Sequence, residues 1–285
     1  MYMNLLLAIC LAGGIALVAY ACGGSQRLRL WMSKREYFCA YRRYKLTLYP
    51  WIEGPGSAVD VGDKAFGIST QRRSEFSRGK VVESTTDRVK VVCENARHSG
   101  WFKRIRVVPD LSTQTDAIIV CCETWHYRRL VCEVLKGDTV LEIGCDMGST
   151  TSLLAARAGP QFVVGIDKSK GSVEIASKRH PGINFVHCDL KLDGSGLLEL
   201  SKGLRRKMNS RSNVERPLFD KVFIDINGIR PLKDVKQLLH SVMQQLRPRL
   251  IIVKSVHFYN EQMQRFVNSG KLLGDRRWQL ERHRQ

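Results

Sequence analysis

From Thr139 to Lys254 the chain alternates short, almost unbroken apolar runs with stretches of helical spacing, and this alternation constrains the fold more than any other feature. Thr139–Gly144, Gln161–Asp167, Ile183–Asp189, Phe219–Asp225 and Arg249–Lys254 read as strands. Ser149–Ala158, Ser172–Arg179, Ser195–Lys207 and Lys233–Leu246 read as the helices between them, and Val256–Asn268 as a further helix. Apolar runs without a polar face are strands covered on both sides, and the intervening helices supply the cover. The expected fold is α/β, a doubly wound and mostly parallel sheet. Arg277–Arg282 reads as a last strand.

Upstream the pattern differs. Val81–Glu83, Arg88–Cys93, Phe102–Val108 and Asp116–Cys122 cluster β-branched residues between turn formers, which predicts a small β-rich lead-in. Trp125–Leu135 has helical spacing and stops at Lys136-Gly137-Asp138. Gly54–Gly79 is rich in Gly, Ser and Arg and reads as a linker, and residues 26–49 are basic and aromatic. Leu5–Cys22 carries no charge, and Arg27, Arg29, Lys34 and Arg35 follow it. A helix of that length spans roughly 27 Å, enough for a thin bilayer core. Cations on its C-terminal side would hold the rest of the chain on the cytoplasmic side of a membrane. A cleaved signal or an organellar (mitochondrial or plastid) transit segment is the alternative, since no acid precedes Glu36. The expected organisation is a transmembrane anchor or targeting segment over 1–25, a basic juxtamembrane segment and linker over 26–79, the lead-in over 80–135, and a catalytic domain over 136–285.

The charge balance narrows the partners. Forty-six Lys and Arg against 27 Asp and Glu leave a formal net charge of +19, which concentrates polyanions at the surface. Nucleic acid and anionic membrane are the partners this favours. The nine cysteines form no C-x-x-C pair, which argues against a zinc ribbon and for buried thiols in a reducing compartment.

In a doubly wound sheet, ligands bind beyond the C-terminal strand ends. Four carboxylates fall there or close by: Glu142, Asp167, Asp189 and Asp225. Each alone is as well explained by a turn or a helix cap; the succession points to a site. The first loop, Gly144-Cys145-Asp146-Met147-Gly148, has two glycines and an acid where a dinucleotide loop needs G-x-G-x-x-G and a pyrophosphate. A carboxylate there repels phosphate but welcomes a cationic sulfonium nucleoside with an amino-acid tail. Asp167 is placed to take both ribose hydroxyls, and Asp189 the exocyclic amine of adenine. A dehydrogenase stays open as an alternative.

The ordered run VLEIGCDMGST, VVGIDKS, FVHCDL and FDKVFIDING resembles the motifs of class I S-adenosylmethionine-dependent methyltransferases, from Lys136 to Lys254. The resemblance implies a Rossmann-like, seven-stranded-type sheet, S-adenosylmethionine as cofactor, and Glu142, Gly144, Cys145, Asp146, Gly148, Asp167, Lys168 and Asp189 around it. Asp146 departs from the family, which usually has glycine there. The strand-four end, Asp225-Ile226-Asn227-Gly228, lacks the N/D-P-P-Y of adenine and glutamine methyltransferases. IIVKSVHFY lacks the acid pair of metal-dependent catechol-type enzymes, so no metal site is expected.

An aspartate after strand four and a lysine ending strand five resemble FtsJ-like and fibrillarin-like RNA 2′-O-methyltransferases. That resemblance implies Asp225 and Lys254 as catalytic residues beside a ribose hydroxyl. Those families add a lysine before the first motif and a late glutamate; Arg128 and Glu281 stand near these places, so the set is incomplete. Arg205, Arg206, Lys207, Arg211 and the tail with Trp278 would suit RNA, and equally a solvated face. A small-molecule or lipid O-methyltransferase at a membrane, and an inactive methyltransferase fold serving as an interaction module, are the other readings.

Overall fold

The computed structural model describes residues 44–49, 61–68, 76–85, 88–103, 106–190, 196–197, 199–200, 203, 219–227 and 230–268. The expected anchor over 1–25, most of the insertion after Leu200 and the tail from residue 269 lie outside the described residues, and so do Trp278, Glu281 and the strand expected at 277–282. Among the described residues, no helix is long and apolar enough to cross a membrane.

The main layer is a seven-stranded sheet. In chain order its strands are β1 (Lys45–Tyr49), β7 (Ala117–Cys121), β8 (Val140–Ile143), β9 (Val163–Asp167), β10 (Asn184–His187), β11 (Lys221–Ile224) and β12 (Leu250–Lys254). Their spatial order is β1-β7-β12-β11-β8-β9-β10, and every pairing is parallel. The described helices are α1 (Thr124–Arg129), α2 (Ser149–Ala158), α3 (Lys170–Arg179), α4 (Leu232–Gln245) and α5 (Val256–Asn268). Strands β7, β8 and β11 are buried along their whole length, as strands covered on both faces must be. The chain order reverses at β8, with β9 and β10 on one side and β11 and β12 on the other, which puts the topological switch point between β8 and β11.

Two elements fall elsewhere than the sequence reading places them. The run expected to close the β-rich lead-in, Asp116–Cys122, contributes β7 to the interior of the parallel sheet, between β12 and β1. The end of the basic aromatic segment contributes β1 at the sheet edge, where Leu48 and Tyr49 are buried and the Tyr44 hydroxyl donates to the Pro248 carbonyl at 2.9 Å. The parallel sheet therefore begins well before residue 136. The helix expected over Trp125–Leu135 is one α-helical turn and a half, α1, continued as a 3₁₀ turn over Leu130–Glu133.

The lead-in itself is a second sheet, antiparallel, in the order β5 (Gly100–Lys103), β4 (Arg88–Cys93), β3 (Phe76–Ser84), β2 (Lys64–Ile68), β6 (Val107–Pro109). Strand β2 and the start of β3 lie inside the stretch read as a linker. The sheet curls on itself: a side chain at Gly67 of β2 would meet the Phe102 ring of β5 at 2.8 Å, although two strands separate them. Ala65, Val81, Val89, Val91 and Val107 fill the concave side and are fully buried.

At the N-terminal ends of the parallel strands, the buried Lys221 ammonium pairs with Asp138 at 2.7 Å and donates to the Glu133 carbonyl. Arg249 joins Asp138 at 3.1 Å and Asp220 at 2.9 Å. These charges tie the starts of β8, β11 and β12 together and leave the opposite ends for ligand chemistry.

Candidate active site

Parallel register brings the strand exits to one level: Ile143 pairs with Ile166 and Ile224, Ile224 with Val253, and Lys254 with Cys121. Each strand then turns away into a loop, and the loops enclose a cavity of about 390 Å³. Its lining includes Gly144, Asp146, Asp167, Lys168, Asp189 and Asp225, so six of the ten residues singled out in the sequence meet around one space. Ile143, Ile166 and Leu190 give it apolar walls, and Asn227 and Arg230 complete the side toward α4.

Gly144 sits where two strand exits almost touch. Its φ is +85°, and a Cβ there would lie 1.9 Å from the Asp225 carbonyl oxygen. No other residue fits, because the conformation is left-handed and the space is already filled. Asp146 is also left-handed, at φ +46°, a conformation that Asp tolerates better than most residues. The acid thus adopts the backbone geometry that a glycine would supply more cheaply. Its N–H donates to Asp167 Oδ2 at 2.9 Å, and its Oδ1 accepts from Ser172 Oγ at 3.1 Å. Asp167 Oδ1 accepts from the Ser169 N–H at 2.8 Å. Both Asp167 oxygens are therefore oriented by backbone donors, and the carboxylate is held rigidly at the cavity wall.

Glu142, Cys145 and Gly148 stand behind the lining. Glu142 is 2% exposed and its Oε2 accepts from Thr151 Oγ1 at 2.5 Å. Burial, reinforced by the nearby Asp225 charge, pushes its carboxyl up to about 8, against the Thr151 and Tyr127 hydroxyls, which favour the anion. Cys145 packs under the loop, and burial pushes its thiol well up, which leaves it un-ionised. Gly148, at φ +80°, caps α2, and a Cβ there would meet the Phe185 ring at 2.8 Å and the His180 ring at 3.0 Å.

On the other side of Asp225 is Lys254. Its ammonium donates to Asp225 Oδ2 at 2.7 Å and to Thr124 Oγ1 at 2.9 Å. Both charged groups keep some solvent access, at 15% and 20%, so the pair faces an opening rather than the core. Asp225 thereby belongs to the cavity wall and to the lysine pair at once. Arg128, near the place of the families' first lysine, is exposed on α1. The sequence reading missed Thr124, Asn227 and Arg230; Thr124 lies 130 residues from its lysine partner, and no local pattern signals such a contact. Among the described residues, no group of three or more His, Cys, Asp or Glu could hold a metal ion.

The sulfonium and ammonium of S-adenosylmethionine suit a wall bearing Asp146, Asp167, Asp189 and Asp225, and the apolar side chains suit its adenine. A family model described as a methyltransferase domain matches residues 140–194. Trans-aconitate 2-methyltransferase of Rhizobium rhizogenes is 38% identical over 53 residues, 19% of this chain and 21% of that protein. The Acidovorax sp. enzyme of the same name is 35% identical over 51 residues, 18% and 20% of the two chains. The chain thus spans about a fifth of the length of these curated relatives. Among solved structures, a TehB-like SAM-dependent methyltransferase from Corynebacterium glutamicum overlaps 49% of this chain and 70% of its own at 17% identity and a TM-score of 0.32. The 23S rRNA methyltransferase ErmE overlaps 48% of each at 18% identity and 0.31. The matched residues are those that build the first loop and the walls around Asp167 and Asp189, and over this stretch the chain is similar to a methyltransferase domain.

Proposed function

We propose that this chain transfers the methyl group of S-adenosylmethionine to a hydroxyl presented at Lys254, and that RNA carries that hydroxyl. The observation behind the acceptor assignment is the Lys254–Asp225 pair at 2.7 Å, whose carboxylate also lines the cofactor cavity. When bound, S-adenosylmethionine supplies an electrophilic methyl group on a positive sulfur. Asp167 is the acid for the ribose diol, Asp189 for the adenine amine, and Asp146 favours the cationic end. Lys254 stabilises negative charge on the acceptor oxygen as its proton leaves, or takes that proton when neutral. Asp225 and Thr124 fix the lysine in position, which keeps acceptor and methyl carbon in line. The net charge of +19 favours RNA over neutral acceptors.

A small carboxylic acid is the second reading. The name of the relatives suggests it, and Arg230 at the cavity offers a carboxylate partner. Incubation with methyl-labelled cofactor, RNA and a pool of small acids separates the two by which product carries label. Lys254→Met should reduce labelling by about 10²-fold or more while calorimetry shows unchanged cofactor affinity. Full turnover in that variant refutes the acceptor assignment. Failure of the wild type to bind S-adenosylmethionine refutes the whole reading.

A further inference from the structure

The antiparallel sheet has a convex side that methyl transfer does not use. Side chains alternate along β3, β4 and β5, and those facing inward are Val81, Val89, Val91 and Cys93, with Phe102 packed against them. The outward set is of another kind. Register places Lys80 beside Val92, Lys90 beside Trp101, and Arg88 beside Lys103, so three rows cross neighbouring strands on the same face. Trp101 is 43% exposed and Val92 49%, two of the six large apolar side chains exposed among the described residues. The Lys90 ammonium lies 6.0 Å from the Trp101 ring centre and also pairs with Glu83 at 2.5 Å, its neighbour in register on β3. A face whose only task is solubility has no use for a tryptophan held open between cations.

We propose that this convex face binds single-stranded RNA, with a base stacked on Trp101 and phosphates drawn to Lys80, Arg88 and Lys103. Any base offers a π-face to an exposed indole, and a groove or face of interleaved cations tracks the backbone without reading sequence. An anionic membrane would meet the same charges. Bilayer docking, however, needs a contiguous apolar surface to bury in the interface, and here one indole and one valine lie among Lys80, Arg88, Lys90 and Lys103. The inference rests on the reading of RNA as the acceptor only for its purpose, which is to hold the strand whose hydroxyl reaches Lys254.

The test uses the full chain, a fluorescent 12-nucleotide single-stranded RNA followed by anisotropy at two salt concentrations, and vesicles of phosphatidylcholine with phosphatidylserine. Trp101→Ala should weaken RNA binding about ten-fold without changing its salt dependence, and Trp101→Phe should restore most of it. Lys80→Ala with Lys103→Ala should weaken binding and flatten the salt dependence by about one to two phosphate contacts. Calorimetric affinity for S-adenosylmethionine should be the same in all of them. Equal RNA binding by wild type and variants overturns the proposal, as does wild-type binding to vesicles with none to RNA. Loss of RNA binding in the variants, with no label ever found in RNA, keeps this face and removes RNA as the acceptor.

Discussion

Two acids at the exit of β8 illustrate how position, rather than residue type, decides chemistry. Glu142 and Asp146 are four residues apart. One is sealed against Thr151 and the other opens on the cavity with Ser172 and Asp167. The buried one has a consequence for stability. Its carboxyl sits at about 8 in the folded chain and near 4.5 when unfolded. A raised acid stabilises the fold fully below about 4.5, and that contribution disappears as pH rises toward and through 8. Glu142→Gln, neutral at every pH, should show a smaller fall in melting temperature between pH 5 and pH 9 than the wild type. Parallel declines would mean that Glu142 is ionised in the folded chain. Sequence alone groups Glu142 with the cofactor residues because its place in the motif is visible and its burial is not.

The strands and loops are set by contacts of longer range. Gly144 lets the exits of β8 and β11 lie side by side, with the Asp225 carbonyl occupying the space of the missing side chain. Gly144→Ala must push these exits apart and adopt a strained φ, for a loss of about 2–4 kcal/mol in urea denaturation. It should also weaken cofactor affinity, since Asp225 and the Asp146–Asp167 hydrogen bond hang on the same junction. A fully stable variant would show that the junction relaxes without harm. The helices α2, α3 and α4 and the strands β8 to β12 were legible from periodicity, because each is an uninterrupted pattern of one kind. Strand β7 was legible as a strand but not as a member of this sheet. Its five buried residues already demanded cover on both faces, which a half-exposed lead-in cannot offer.

Across the described residues, the strands upstream of residue 136 serve both sheets, β1 and β7 the parallel one and β2 to β6 the antiparallel one. A chain beginning at Val61 would lack β1 and expose the edge of β7, together with the apolar surface that Tyr44, Leu48 and Tyr49 cover. Its stability should fall by about 3–6 kcal/mol, read from denaturant unfolding, and its tendency to aggregate should rise. An unchanged unfolding midpoint would show that β1 is dispensable. Periodicity and motif order by themselves determined the α/β class, the loop after β8 and the position of Asp167, Asp189 and Asp225 at strand ends, since these depend on short stretches of chain whose pattern is local. Tertiary structure alone decided that β1 and β7 complete the sheet, that Glu142 is sealed away, and that Lys254 meets Thr124 as well as Asp225. Those outcomes depend on which residues share a strand level or a buried volume, and a linear sequence does not carry that distance.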